Sequence, residues 1–67
     1  MSSYKEKRKL EEDKFVSHLL KTGIKSKCES SEGRNTYYCF WLKNGEQRYW
    51  VNLSQENRIK VGFKEEV

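Results

Sequence analysis

Residues 36–53 read Thr-Tyr-Tyr-Cys-Phe-Trp-Leu-Lys-Asn-Gly-Glu-Gln-Arg-Tyr-Trp-Val-Asn-Leu, two aromatic runs divided by Asn44-Gly45. Aromatic and β-branched side chains suit a pleated, half-buried surface, so each run predicts a strand. Asn-Gly favours the tight turn of a two-residue hairpin, whose central positions both need positive φ. That turn sets a register in which Trp41 pairs with Arg48, Phe40 with Tyr49, Cys39 with Trp50 and Tyr38 with Val51. Because side chains alternate between faces, one face then collects Thr36, Tyr38, Phe40, Leu42, Tyr49, Val51 and Leu53. The other collects Tyr37, Cys39, Trp41, Lys43, Glu46, Arg48, Trp50 and Asn52.

Outward from the hairpin, Phe15, Val16, Leu19 and Leu20 recur at the spacing of one helical face. Leu10 falls nearly opposite that stripe. Gly23 offers a left-handed stop, with Ile24 placed to fold back on Leu19 as in a Schellman motif. Ile24–Cys28 alternates as a short strand, and Ser30–Asn35 is rich in turn residues. Ser54–Asn57 reads as a further turn. Arg58–Lys64 alternates again and predicts a last strand that adds Ile59, Val61 and Phe63 to the core. The expected fold is therefore α+β: an N-terminal helix packed on a four-stranded antiparallel β-meander, the core formed by the Phe40–Tyr49 face. Residues 1–9 are expected to be a flexible basic N-terminal segment, and residues 10–67 a single domain.

The chain has 67 residues, 36% of them charged and 34% hydrophobic. A chain of this length buries only ~60% of its unfolded surface, which leaves a small core and little room for a deep catalytic pocket. An aromatic content of 13% is too high for a disordered tail. No run approaches the ~20 apolar residues of a membrane span, and the N-terminus lacks the apolar segment of a signal peptide. The expected setting is the cytoplasm, or the host cytoplasm if the chain is viral.

No catalytic, cofactor or metal constellation emerges. Two cysteines, Cys28 and Cys39, and one histidine, His18, fall short of the ligand count and spacing of a zinc site. Both cysteines are read as reduced, half-buried side chains, with a Cys28–Cys39 disulfide as the alternative, and His18 as a surface residue. The four glycines are isolated, so no loop cradles phosphate. Glu11, Glu12, Asp13, Glu65 and Glu66 read as solvated helix-start and tail charges.

Binding is the better reading. The net charge is +4, and the face opposite the expected core gathers Tyr37, Trp41 and Trp50 beside Lys43 and Arg48, with Arg58 and Lys60 added from the last strand. Rings interleaved with cations are the surface on which single-stranded nucleic acid stacks and tracks its phosphates. The competing assignment turns the tryptophans inward, since large aromatics dominate small cores. The expected function is a small non-catalytic module that binds DNA or RNA. The alternative is a phage- or mobile-element-like inhibitor or adaptor that turns the same aromatic patch on a host protein. An unpaired edge strand also offers a second copy a place to extend the sheet, giving a homodimer.

The segment Gly33–Ser54, an aromatic strand, a tight turn and a second aromatic strand, resembles the three-stranded DNA-reading sheets at the N-termini of some tyrosine integrases and of a plant DNA-binding domain. Those place their helix after the sheet, whereas here it precedes it. The helix-first order resembles Sm-like RNA-binding barrels, without their Gly and Asn signatures. No family is assigned on these likenesses of architecture.

Overall fold

The computed structural model describes residues 4–64, in the order α1 (Tyr4–Thr22), β1 (Ile24–Glu32), β2 (Asn35–Leu42), β3 (Gln47–Val51) and α2 (Gln55–Lys60). Glu65 and Glu66 lie outside the described residues. The three strands form one antiparallel sheet with β2 in the middle. The molecule is α+β, as expected, with three strands rather than four.

Along α1, Glu12, Val16 and Leu19 are buried, an i, i+4, i+7 stripe that faces the sheet. Leu20, expected in the core, is exposed, as is Leu10. The helix begins at Tyr4, so Lys5, Lys7, Arg8 and Lys9 are helical. It stops at Gly23, whose φ of +89° lets its N–H donate to the Leu19 carbonyl at 2.9 Å. This is the single bond of an αL stop. β1 runs four residues beyond Cys28 because Gly33, with φ +61°, opens a two-residue turn that pairs Glu32 with Asn35. A bulge at Lys25 brings Ile24 to the core side while Ser26 turns outward opposite Trp41.

The second hairpin corrects the expected register by one residue. Trp41 pairs with Gln47, Phe40 with Arg48, Cys39 with Tyr49 and Tyr38 with Trp50. The loop has three residues, Lys43–Gly45. Gly45 N–H donates to the Leu42 carbonyl at 2.9 Å, and Leu42 N–H to Glu46 at 2.8 Å. Asn44 keeps a negative φ and only Gly45 is left-handed, at +91°, so this is a type I turn closed by a glycine bulge. Asn44 Oδ1 secures it by accepting from Glu46 N–H at 2.9 Å. Asn-Gly serves either turn, and the extra loop residue reverses both faces of β3.

The core joins Val16 and Leu19 to Tyr38, Phe40, Leu42, Leu53 and Val61, with Phe15, Ile24, Trp50 and Phe63 packed around them. Tyr49, assigned to the core by the expected register, is 74% exposed. Trp50, assigned to the open face, lies under α1 with its ring 4.8 Å from that of Phe15. Leu53 reaches the core by another route. Asn52 takes a φ of +54°, tolerable for Asn, and its Oδ1 accepts from Thr36 N–H in place of a strand carbonyl.

The expected fourth strand is a helix followed by a turn. Ser54 caps α2, its side chain accepting from Asn57 N–H. At the other end Gly62, φ +96°, donates to the Ile59 carbonyl while Phe63 N–H donates to Arg58, the bond pair of a Schellman motif. Alternation of Ile59, Val61 and Phe63 is thus a coincidence of spacing, and Ile59 is exposed. Glu12, expected to be a solvated charge, is instead buried. Its Oε2 accepts from Ser54 Oγ at 2.6 Å and from the amide of buried Asn57. One carboxylate of α1 thereby holds the start of α2, where negative charge is favoured.

Candidate functional site

The core takes one face of the sheet and leaves the other open. Strand alternation and the observed pairing put Ser26, Cys28, Ser30 and Glu32 of β1 on the open face, with Asn35, Tyr37, Cys39 and Trp41 of β2 and Gln47, Tyr49 and Val51 of β3. Of these eleven only Glu32, at the tip of the β1–β2 hairpin, carries a charge, in a chain that is 36% charged. Tyr37 and Trp41 are 40% and 38% exposed, so three rings, with Tyr49, lie open to solvent. Cys39 sits among them, between Tyr37 and Trp41 along β2 and opposite Tyr49 on β3. Gln47 Nε2 donates to its Sγ at 3.1 Å.

Of the expected site residues, this face keeps Tyr37 and Trp41. The others are elsewhere for definable reasons. Trp50 follows the corrected register to the helix side, where its Nε1–H is buried without a hydrogen-bond partner among the described residues. Arg48 goes to the same side, its guanidinium 2.9 Å from Glu46 Oε2. Arg58 and Lys60 belong to α2. Arg58 donates to the Tyr38 hydroxyl at 3.1 Å, and Lys60 pairs with Glu56 on the next turn at 3.5 Å. Lys43 lies in the β2–β3 loop, its N–H bonded to the Gly23 carbonyl. Lys27, on the core side of β1, sits 5.4 Å over the Phe63 ring. Rings and cations are therefore not interleaved.

Cations instead border the rings. Leu42 N–H bonds to the Glu46 carbonyl and Asn52 N–H to the Thr36 carbonyl, so Gln47, Tyr49 and Val51 turn their backbone groups to the free edge of the sheet. The N-terminal half of α1 runs beside that edge, and Arg8 Nη2 donates to the Val51 carbonyl at 3.1 Å. Between helix and strand lies an open groove of about 680 Å³, lined by Tyr4, Lys7, Arg8, Glu11, Tyr49, Trp50 and Val51. Tyr49 belongs to both surfaces and joins the neutral face to the basic groove. Sequence reasoning missed Tyr49, Lys7 and Arg8. The basic run 5–9 was visible, but its place beside β3 depends on how α1 crosses the sheet.

Cys28 and Cys39 are free thiols. Cys28 is exposed, and desolvation by the sheet, followed by the neighbouring Cys39 sulfur, pushes its pKa up. No cluster of three or more His, Cys, Asp or Glu able to hold a metal occurs among the described residues. No helix among them is long and apolar enough to cross a membrane. Compared with family models, curated proteins and solved structures, the chain matches none of them.

Proposed function

We propose that this protein is a small non-catalytic module that binds single-stranded nucleic acid on the open face of its sheet. The observation that carries this reading is the set of three solvent-exposed rings, Tyr37, Trp41 and Tyr49, on a sheet face whose strands bring one charge, Glu32 at the hairpin tip. Bases stack on such rings whatever their sequence, each stack contributing ~1–3 kcal/mol. A neutral platform is suited to bases, while phosphates need cations within a nucleotide's reach. Lys7 and Arg8 supply them along the β3 edge, and Arg34 and Lys43 are exposed at the two hairpin loops. Paired bases in a duplex keep their faces stacked on each other, so the platform selects single strands.

The expected result is quenching of tryptophan fluorescence by single-stranded DNA or RNA at low salt, with weaker binding to duplex. Trp41→Ala and Tyr49→Ala should each weaken binding by ~1–3 kcal/mol with the fold intact. Lys7→Ala should lower the salt slope by about one ion. Absence of binding to either single strand, or a preference for duplex, overturns the reading.

The absence of charge around the three rings favours a second reading, a protein-binding inhibitor or adaptor. The centres of protein interfaces are depleted of charge and rich in Tyr and Trp. Loss of a protein partner in the Trp41 and Tyr49 variants, with a shallow salt response, identifies that case.

A further inference from the structure

Cys28 and Cys39 stand directly opposite one another on β1 and β2, on the open face and both as free thiols. Leu42 N–H bonds to Glu46 and the Thr36 carbonyl to Asn52, so even-numbered residues of β2 turn their backbone groups to β3. The odd-numbered residues, Cys39 among them, turn theirs to β1. Cys28 and Cys39 are therefore a hydrogen-bonded pair, for which the Cα atoms stand ~5.5 Å apart, a separation that disulfides commonly span. Their Cβ atoms lie at the long end of the ~4.5–5.5 Å cross-strand range, against the ~3.5–4.5 Å that a disulfide needs. Bridging them asks the two strands to close by ~1 Å, which strains the bond and makes it easy to reduce.

We propose that Cys28 and Cys39 form a reversible cross-strand disulfide by exchange with a low-molecular-weight disulfide such as glutathione disulfide. One thiol loses its proton to solvent, and the thiolate attacks a sulfur of the small disulfide. The S–S bond of that disulfide breaks and one small thiolate leaves. The second cysteine, deprotonated in turn, attacks the mixed disulfide and expels the other small thiolate. The two cysteines are oxidised by two electrons, and the small disulfide is reduced to two thiols. Gln47 Nε2, reaching across from β3, donates to Cys39 Sγ, a bond that is given up when the sulfur turns to Cys28 on β1. Around the pair, β1 presents Ser26 and Ser30, β2 presents Tyr37 and Trp41, and β3 presents Gln47 and Tyr49. With the Cys28 thiol pushed above its usual value, exchange is slow at neutral pH and quickens as pH rises.

The test incubates the folded protein in glutathione buffers of varied ratio, traps free thiols by alkylation and measures intact mass. In excess glutathione disulfide the expected product is a monomer two hydrogens lighter that takes up no alkylating agent. Excess reduced glutathione should restore both thiols, and Cys28→Ser should stop at one glutathione adduct. Two adducts per chain, covalent dimers, or a bridge that resists reduced glutathione overturns the proposal.

Discussion

At the scale of single residues, the two tryptophans differ in kind although both stand in aromatic strands. Trp50 packs on Phe15 under α1, and truncating it opens a hole next to Tyr38, its buried partner on β2. Trp50→Ala should cost ~3 kcal/mol, at the low end for aromatic truncations because the ring is only half-buried. Trp41 faces solvent on the far side of the sheet, and Trp41→Ala should change stability by less than ~1 kcal/mol. Urea unfolding of the two variants reads the contrast. A loss at Trp50 no larger than that at Trp41 would mean that Trp50 is not packed under α1.

At the scale of elements, the β2–β3 hairpin and α2 each depend on one specific contact set. In the observed register Cys39 and Tyr49 are a non-hydrogen-bonded pair, whose Cα atoms approach to ~4.5 Å. A strong NMR cross-peak between the Hα protons of Cys39 and Tyr49 is expected. A two-residue turn would instead place Cys39 opposite Trp50, and the cross-peak would be missing. α2 is too short to stand alone, and it is held by Glu12 through Ser54 and Asn57. Glu12→Ala removes a buried charged acceptor from both donors, so the expected cost is ~2–3 kcal/mol. Amide exchange should then quicken first in Asn57–Val61. Uniform protection across α2 in that variant would show that the carboxylate does not hold the element.

At the scale of the whole molecule, α1 is fastened to the sheet by its apolar stripe and, at the periphery, by a hydrogen bond between His18 and Glu46, just past the β2–β3 loop. Glu46 Oε2 lies 2.9 Å from Arg48 Nη2 and 3.5 Å from His18 Nε2 of α1. Hydrogen bonds from Arg48 and then from His18 hold the Glu46 pKa below its usual value. A carboxylate depressed in the folded state stabilises it fully above the unfolded value of about 4.3, and the contribution fades as pH falls through the lower folded value. Carboxyl-detected NMR titration should give Glu46 a midpoint below that of an ordinary glutamate, and Arg48→Gln should move it up. A midpoint unchanged by Arg48→Gln would remove the guanidinium as its cause.

Much of the fold is local and was therefore legible. Tyr38, Phe40 and Leu42 alternate into the core because strand geometry leaves them no other choice once β2 is central. The stripe of Val16 and Leu19 and the stop at Gly23 follow from helical periodicity and from the freedom of glycine at positive φ. Tyr37 and Trp41 fall on the open face for the same reason. The register of β3 is different in nature, because Asn44-Gly45 satisfies a two-residue and a three-residue loop alike. What separates them is which large ring α1 covers, and Phe15 stacks on Trp50 while Tyr49 keeps its hydroxyl in water. Residues 54–63 were misread for a related reason. Their alternation is as compatible with a strand as with a short capped helix, until Glu12, more than forty residues away, supplies the acceptor that Ser54 and Asn57 need. Local periodicity thus set the central strand and the first helix. Contacts between α1 and distant segments decided which side of β3 faces out, and with it the membership of the candidate site.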